Sequence, residues 1–360
     1  MNETMLFGIN AFWFAAAVFV VGYLYIMSER VNRAIVALLG AGLMIIGGVL
    51  SQVQAISSID FNTLGLLAGM MVIVHITGKT GVFQYLAIWS VKKVKASPWH
   101  ILLMISIVTT FVSSLLDNVT TVMLIVPVLL HICKELRVPV YPFLLACIFS
   151  SNIGGTATYI GDPPNIMIGS AAGFNFNDFL EHTLPVAMIV LLATMIPFYI
   201  IWGRKLSATA EDRARVMAMD EHGVIQDRHL LRDCVMVCVL VIGAFTVSHH
   251  IHVEPATIAM TGAALLLLLE NRRHDRDQHS HNVHAAFAEA EWVTLFFFIG
   301  LFVMVAGIKQ VGLIDMMGQA LLSVTGGDAA TTAYAILWTS AISSAFLDNI
   351  PFTATMIPLI

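Results

Sequence analysis

An acidic side chain followed by a carboxamide occurs twice inside apolar stretches, as Ser113-Ser114-Leu115-Leu116-Asp117-Asn118 and as Ser344-Ala345-Phe346-Leu347-Asp348-Asn349. The copies stand 348 − 117 = 231 residues apart. A carboxylate among Phe, Leu, Val and Ile is costly in hydrocarbon and is kept where it meets water, an ion or a partner. Asp117 with Asn118 and Asp348 with Asn349 therefore read as a duplicated ion or substrate site, in which a carboxylate can take a proton or a sodium ion in turn. The plainer reading is a pair of helix N-caps, since Asp accepts amide hydrogen bonds well at a helix start. The two readings are compatible.

A second constellation is Ser151-Asn152-Ile153-Gly154-Gly155-Thr156-Ala157-Thr158-Tyr159-Ile160-Gly161-Asp162-Pro163-Pro164-Asn165, set in an otherwise apolar run from Val140 to Ala172. The Gly pair loosens or ends a helix, and Asp162 before Pro163 and Pro164 reads as an N-cap with proline in the first turn of a new one. The span is predicted to break in the middle of the membrane, where irregular backbone is tolerated only if buried in protein or lining a water-filled cavity. Carbonyls freed at the end of the first half can bind a cation, and amides at the start of the second favour an anion. Asn152, Thr156, Thr158 and Asn165 add neutral oxygen ligands.

Elements that position these residues follow from composition. With 58% hydrophobic and 11% charged residues and a mean hydropathy of +0.85, the chain lies far from a soluble domain, in which about one quarter of residues are charged. Apolar runs recur from Phe7 to Met27, Ala34 to Leu50, Phe61 to Ile76, His100 to Leu116, Val119 to Cys133, Val140 to Ile160, Leu184 to Trp202, Cys234 to Val247, Pro255 to Leu269, Trp292 to Ile308 and Thr331 to Leu347. They are continuous rather than alternating, which argues against a β-barrel. The first lacks a basic flank before it and is followed by further spans, so it does not read as a cleaved signal. Cys133, Cys147, Cys234 and Cys238 show no metal-ligand spacing and read as packing residues.

Charge sets orientation. If the first span runs from outside to inside, 17 of the 18 Lys and Arg face the cytoplasm, all but Lys309, provided that residues 100–133 enter and return on one side as a re-entrant hairpin. The same counting inverts the second half. Residues 63–81 and 294–312 share 6 identities in 19 positions at the same 231-residue spacing. The expectation is an all-α polytopic membrane protein built from inverted-topology repeats, the architecture of secondary transporters. Its parts are a first repeat over 1–203, with the hairpin at 100–133 and the broken helix at 140–172, a cytoplasmic linker over 204–232 and a second repeat over 233–360. The counterpart of 151–165 would fall at 382–396, so the second repeat reads as C-terminally incomplete.

Leu115-Leu116-Asp117-Asn118-Val119-Thr120-Thr121, the 151–173 segment and Phe346 to Thr353 resemble the ArsB/NhaD-type ion transporter superfamily, with P-protein-like members and arsenical permeases carrying the citrate-transporter-like domain as the nearest likeness. The resemblance covers nearly the whole chain. It implies a scaffold and a transport domain, a homodimer, and alternating access for a small inorganic ion. It also implies that hairpin tip and broken helix bind the coupling ion together, through Asp117, Asn118, Thr120 and Thr121 with Asn152, Gly154, Gly155, Thr156, Thr158, Gly161, Asp162, Pro163, Pro164 and Asn165.

Arsenite is an uncharged hydroxide at neutral pH, and hydroxyls, carboxamides and one carboxylate suit it in exchange for protons. Proton-coupled arsenite or antimonite efflux across the bacterial inner membrane, with an outside N-terminus, is the first expectation. Sodium/proton antiport would use the same Asp117 and Asp348. A sodium-coupled citrate-like carrier meets an acidic tip that repels a dianion, and a passive anion channel would share the hairpins without coupling. No nucleophile and base pair, metal motif or phosphate loop suggests an enzyme or a cofactor beyond a coupling proton or sodium ion. Nothing suggests nucleic-acid binding, and a soluble partner ATPase is compatible with the chain. His75 reads as an interior histidine, its repeat partner being Ala306. His274, His279, His281 and His284 read as a solvated connector, and Lys92, Lys93 and Lys95 as an arm against lipid or scaffold.

Overall fold

Helix starts in this chain are written by small polar caps and prolines. In the computed structural model, which describes residues 10–221, 223–272, 276–288, 290–345 and 348–359 with the side chains at 276–281 and 359 outside that description, Asn10 opens α1 (Ala11–Ser28) by accepting the Phe12 amide at 2.9 Å. Asn32 caps α2 (Arg33–Ile46), and a Ser51–Gln54 capping box starts α3 (Gln52–Ser57). Next come α4 (Phe61–Lys79), α5 (Val82–Lys93), α6 (Pro98–Ser113), α7 (Asn118–Leu136), α8 (Tyr141–Thr156), α9 (Pro163–Ala172), and α10 (Phe176–Phe198), which widens into a π turn over Tyr199–Gly203. After them stand α11 (Ala210–Met217), α12 (Arg228–Ile251), α13 (Pro255–Asn271), α14 (Arg276–Ala288), α15 (Trp292–Gln310), α16 (Leu313–Thr325), α17 (Ala329–Ser344) and α18 (Asn349–Met356). Proline sits in the first turn of α6, α8, α9 and α13, where its missing N–H costs nothing.

No strand occurs among the described residues, and six helices (α1, α4, α7, α10 with its extension, α12 and α15) are long and apolar enough to cross a bilayer. The molecule is an all-α polytopic membrane protein. Leu, Ile and Val side chains exposed along α1, α10 and α12 suit contact with lipid rather than water. Phe7, His274 and the side chains of His279 and His281 lie outside the described residues.

Four consecutive helices recur at one spacing. α4, α5, α6 and α7 begin at 61, 82, 98 and 118, and α15, α16, α17 and α18 begin at 292, 313, 329 and 349, each 231 residues later. Gly81 and Gly312 precede the second member of each set at φ 81° and 78°, a left-handed conformation that glycine adopts without strain.

The chain forms two compact units, one of residues 1–64 with 291–360 and one of 65–290. The units cut across the repeats because helices of one repeat pack on helices of the other. In the first unit, a Cβ on Gly300 of α15 would lie 2.5 Å from the carbonyl carbon of Ala37 on α2. In the second unit, a Cβ on Gly69 of α4, the residue 231 positions earlier, would lie 2.6 Å from the carbonyl carbon of Ala259 on α13. Small residues let helix backbones meet in a membrane, where dispersion must do the work that water does elsewhere. α2 and α13 therefore occupy matching places, and the segments 33–44 and 255–266 agree at Ala34/Ala256, Ala37/Ala259, Gly40/Gly262, Ala41/Ala263 and Leu43/Leu265.

Within the second unit, Ile101, Leu102, Ile105, Leu129 and Phe143 join α6, α7 and α8 in one buried cluster that also holds Cys133 and Cys147. All four cysteines are free thiols, as packing residues should be. Lys92 is bonded to Glu221 and to the Met219 carbonyl, so the end of α5 packs on the linker.

α11 pins the linker to the end of α7. Asp212 accepts from Thr209 Oγ1 at 2.6 Å, is paired with Arg215, and lies 3.7 Å from Arg137, while Arg215 also donates to the Glu135 carbonyl at 2.9 Å. The Thr209 hydroxyl bond, then the Arg215 contact, holds the Asp212 carboxyl below the usual carboxylate range. A depressed carboxyl stabilises the fold above its unfolded value, about 3.9 for Asp, and loses that contribution as pH falls through the lower folded value. The α11 amides are therefore expected to stay protected from hydrogen exchange at pH 5 and to lose protection on acidification below that range. Thr209→Ala should move the loss to higher pH, and an unmoved profile would show that the hydroxyl does not hold the carboxylate.

Candidate functional site

The first hairpin and the broken helix meet through backbone. α6 ends at Ser113, a short turn over 114–117 follows, and Asp117 opens α7 by accepting the Thr120 amide on Oδ1 at 2.8 Å. The capping reading therefore holds, and it engages one carboxylate oxygen. Thr110 Oγ1 and Ser113 Oγ of α6 donate to the Ser150 and Ser151 carbonyls of α8 at 3.2 and 2.6 Å. Thr158, in the break, donates to the Ser114 carbonyl at 2.5 Å. Gly154 fits against the Thr110 backbone, where a Cβ would come within 2.3 Å of the carbonyl oxygen, and Gly161 fits between the carbonyls of Gly155 and Ser113. The glycines that interrupt the sequence pattern thus let the hairpin and the break touch.

Asn118 carries the link to the open side. Its Nδ2 donates to Asn152 Oδ1 at 3.0 Å, while Asn152 Nδ2 donates to the Ile148 carbonyl and Thr156 Oγ1 to the Asn152 carbonyl. Asn152 and Thr156 line a cavity of about 320 Å³ with Ile153, His182, Thr183 and Val186. Asp117 makes no ion pair among the described residues. Thr121, one turn into α7, is fully buried, and its hydroxyl has no hydrogen-bond partner there, which marks a polar atom awaiting one.

The break itself is arranged differently from the sequence expectation in two respects. Carbonyls at the end of α8, read as open to a cation, are bonded to Asn165, whose Nδ2 donates to Gly155, Thr156 and Thr158 at 3.2, 3.1 and 2.7 Å. Asn165 serves as a donor that closes the break. The start of α9, read as an anion site, offers few donors, because Pro163 and Pro164 have no N–H and the Asn165 and Ile166 amides bond the Asp162 carbonyl. Asp162 occupies the N-cap position with extended backbone and no side-chain capping bond, so a buried acidic residue stands where an anion would arrive.

The second hairpin lies in the other compact unit. Asp348 opens α18 by accepting the Ile350 amide at 3.4 Å, with Asn349 as the first helical residue. Its Oδ2 lies 2.9 Å from Arg33 Nη1, and Tyr23 of α1 donates to the Pro351 carbonyl at 2.5 Å. By sequence Arg33 is an orientation charge, and nothing local signals its pairing with Asp348. Sequence also passes over His182; an ionisable pair, Glu181-His182, before an apolar run was the available signal.

A family model described as citrate transporter matches residues 23–360. An uncharacterized transporter of Mycobacterium tuberculosis is 41% identical over 350 residues, spanning 96% of this chain and 79% of that protein. A 46 kDa membrane protein of Mycobacterium leprae is 39% identical over 352 residues, with 96% and 80% covered. The P protein of Sus scrofa is 31% identical over 427 residues, spanning 96% of this chain and half, 50%, of that protein.

Proposed function

The chain belongs to the citrate transporter family and is a multi-pass membrane transporter, and from that premise we propose that it is a secondary active carrier of a small inorganic species coupled to a cation bound at Asp117. The observation that carries the reading is the state of the first hairpin tip. A carboxylate that makes no ion pair among the described residues stands at the tip, and its neighbour Asn118 is bonded to Asn152, which lines an open cavity.

Cargo chemistry follows from what surrounds that tip. Prolines at the start of α9 and the acidic side chain of Asp117 at the tip disfavour a polyanion such as citrate, which needs free amides or cations. Hydroxyls and carboxamides suit an uncharged hydroxide, so proton-coupled export of arsenite or antimonite across the bacterial inner membrane is the favoured form. Sodium/proton exchange is the second reading, favoured by the same Asp117 carboxylate, of which the cap engages one oxygen. The carrier works as a homodimer with its N-terminus outside.

Purified protein in liposomes tests this. Arsenite flux that follows a proton gradient and disappears in Asp117→Asn is expected. Sodium/proton exchange without arsenite movement would select the second reading, and citrate flux or gradient-independent leakage would overturn both.

A further inference from the structure

The two hairpin carboxylates are equivalent in the repeat and unequal in their surroundings. Asp117 and Asp348 both cap the second helix of a hairpin at the 231-residue spacing. Asp348 is met by Arg33 Nη1 at 2.9 Å, and the same guanidinium reaches Thr294 Oγ1 at 3.4 Å and lies over the Phe297 ring at 5.1 Å. Thr294 is in turn bonded to Glu291 at 2.9 Å. Hydrogen bonds and the aromatic face hold the charge in place.

The first repeat keeps only part of this arrangement. Asp60 and Thr63 repeat the Glu291–Thr294 bond, with Thr63 Oγ1 donating to Asp60 at 2.5 Å. Phe297 corresponds to Leu66, which offers no aromatic face. Arg33, the first residue of α2, corresponds to Pro255, the first residue of α13, through the five identities that align 33–44 with 255–266. The cation and its shelf are present on one side of the repeat and replaced by apolar residues on the other. Arginine stays charged at any physiological pH, so the second carboxylate is neutralised while the pair is made, and a mobile cation approaching it meets like charge.

We propose that Arg33 is a tethered substitute for a coupling cation, so that each protomer carries one mobile cation per cycle, at Asp117, instead of two. The inference rests on the cation-coupled reading above. Tyr23, Glu29 and Asn32 line the same site as the Arg33–Asp348 pair.

The test is a zero-flux measurement in liposomes, with arsenite or sodium as cargo and proton or sodium as driving cation. The opposing gradients at which net flux stops give the number of cations per cycle. One is expected for the wild type and for Arg33→Lys, which keeps the charge. Two are expected for Arg33→Gln, falling back to one when Asp348→Asn is added. Two in the wild type, or one in a folded, transporting Arg33→Gln, would overturn the proposal while leaving coupling intact. If Arg33→Gln fails to fold, the wild-type count decides alone. Flux indifferent to both cations would instead remove the coupled reading, and this inference with it.

Discussion

Asp117→Asn is expected to abolish gradient-driven flux while leaving the protein folded. Asn caps a helix about as well as Asp, so the bond to the Thr120 amide survives the change and thermal unfolding in detergent should shift little. What disappears is a charge. Bonds to a charged group contribute roughly 1.5–3 kcal/mol, so cation affinity should fall by about 10- to 150-fold. A carrier that moves on cation binding then stops at working concentrations. Asp348→Asn should behave differently, because it leaves Arg33 without its partner; the expected signature is a lowered melting temperature that Arg33→Gln in the same chain partly restores. Equal loss of cation affinity in the two single variants, with equal stability, would contradict the asymmetry between the hairpins.

That asymmetry lies outside what local sequence carries. The helix–turn–helix around Asp117, the break and the four-helix recurrence are legible because each rests on local chemistry: an Asp-Asn step within apolar residues, Gly-Gly followed by Asp-Pro-Pro, and identities at constant spacing. Arg33 was not legible in its role. It lies 315 residues from Asp348, and no local pattern joins two such positions. The match of α2 with α13 was hidden for a related reason, since its spacing is 222 residues rather than 231, as Ala37 and Ala259 show. A single-offset comparison therefore passes over it. Asn165 was recognised as polar and placed in the site, but whether a carboxamide accepts a ligand or donates to backbone depends on where three carbonyls end, and only folding decides that.

Asn165 therefore carries the other large expected effect. Its amide group stands where a cation would stand, among three carbonyl oxygens from Gly155, Thr156 and Thr158. The Gly155 and Thr156 carbonyls are among those that a helix end leaves without intrahelical partners, and Thr158 lies in the break just beyond. Asn165→Ala removes their donor, and at about 1–3 kcal/mol for each stranded buried group the loss should total roughly 2–5 kcal/mol once the break relaxes. Asn165→Asp should be worse, since it sets a carboxylate against the same carbonyls at almost unchanged volume. That variant also builds a hard-oxygen cage of the kind calcium and sodium occupy, and a ligand bound only by the folded state stabilises it by mass action. Thermal unfolding of Asn165→Asp should therefore recover in millimolar calcium, whereas Asn165→Ala should not respond. An Asn165→Asp protein as stable as the wild type without added cation would mean that the amide does not hold the break, and the link from Asn118 through Asn152 to Thr156 would then need another support.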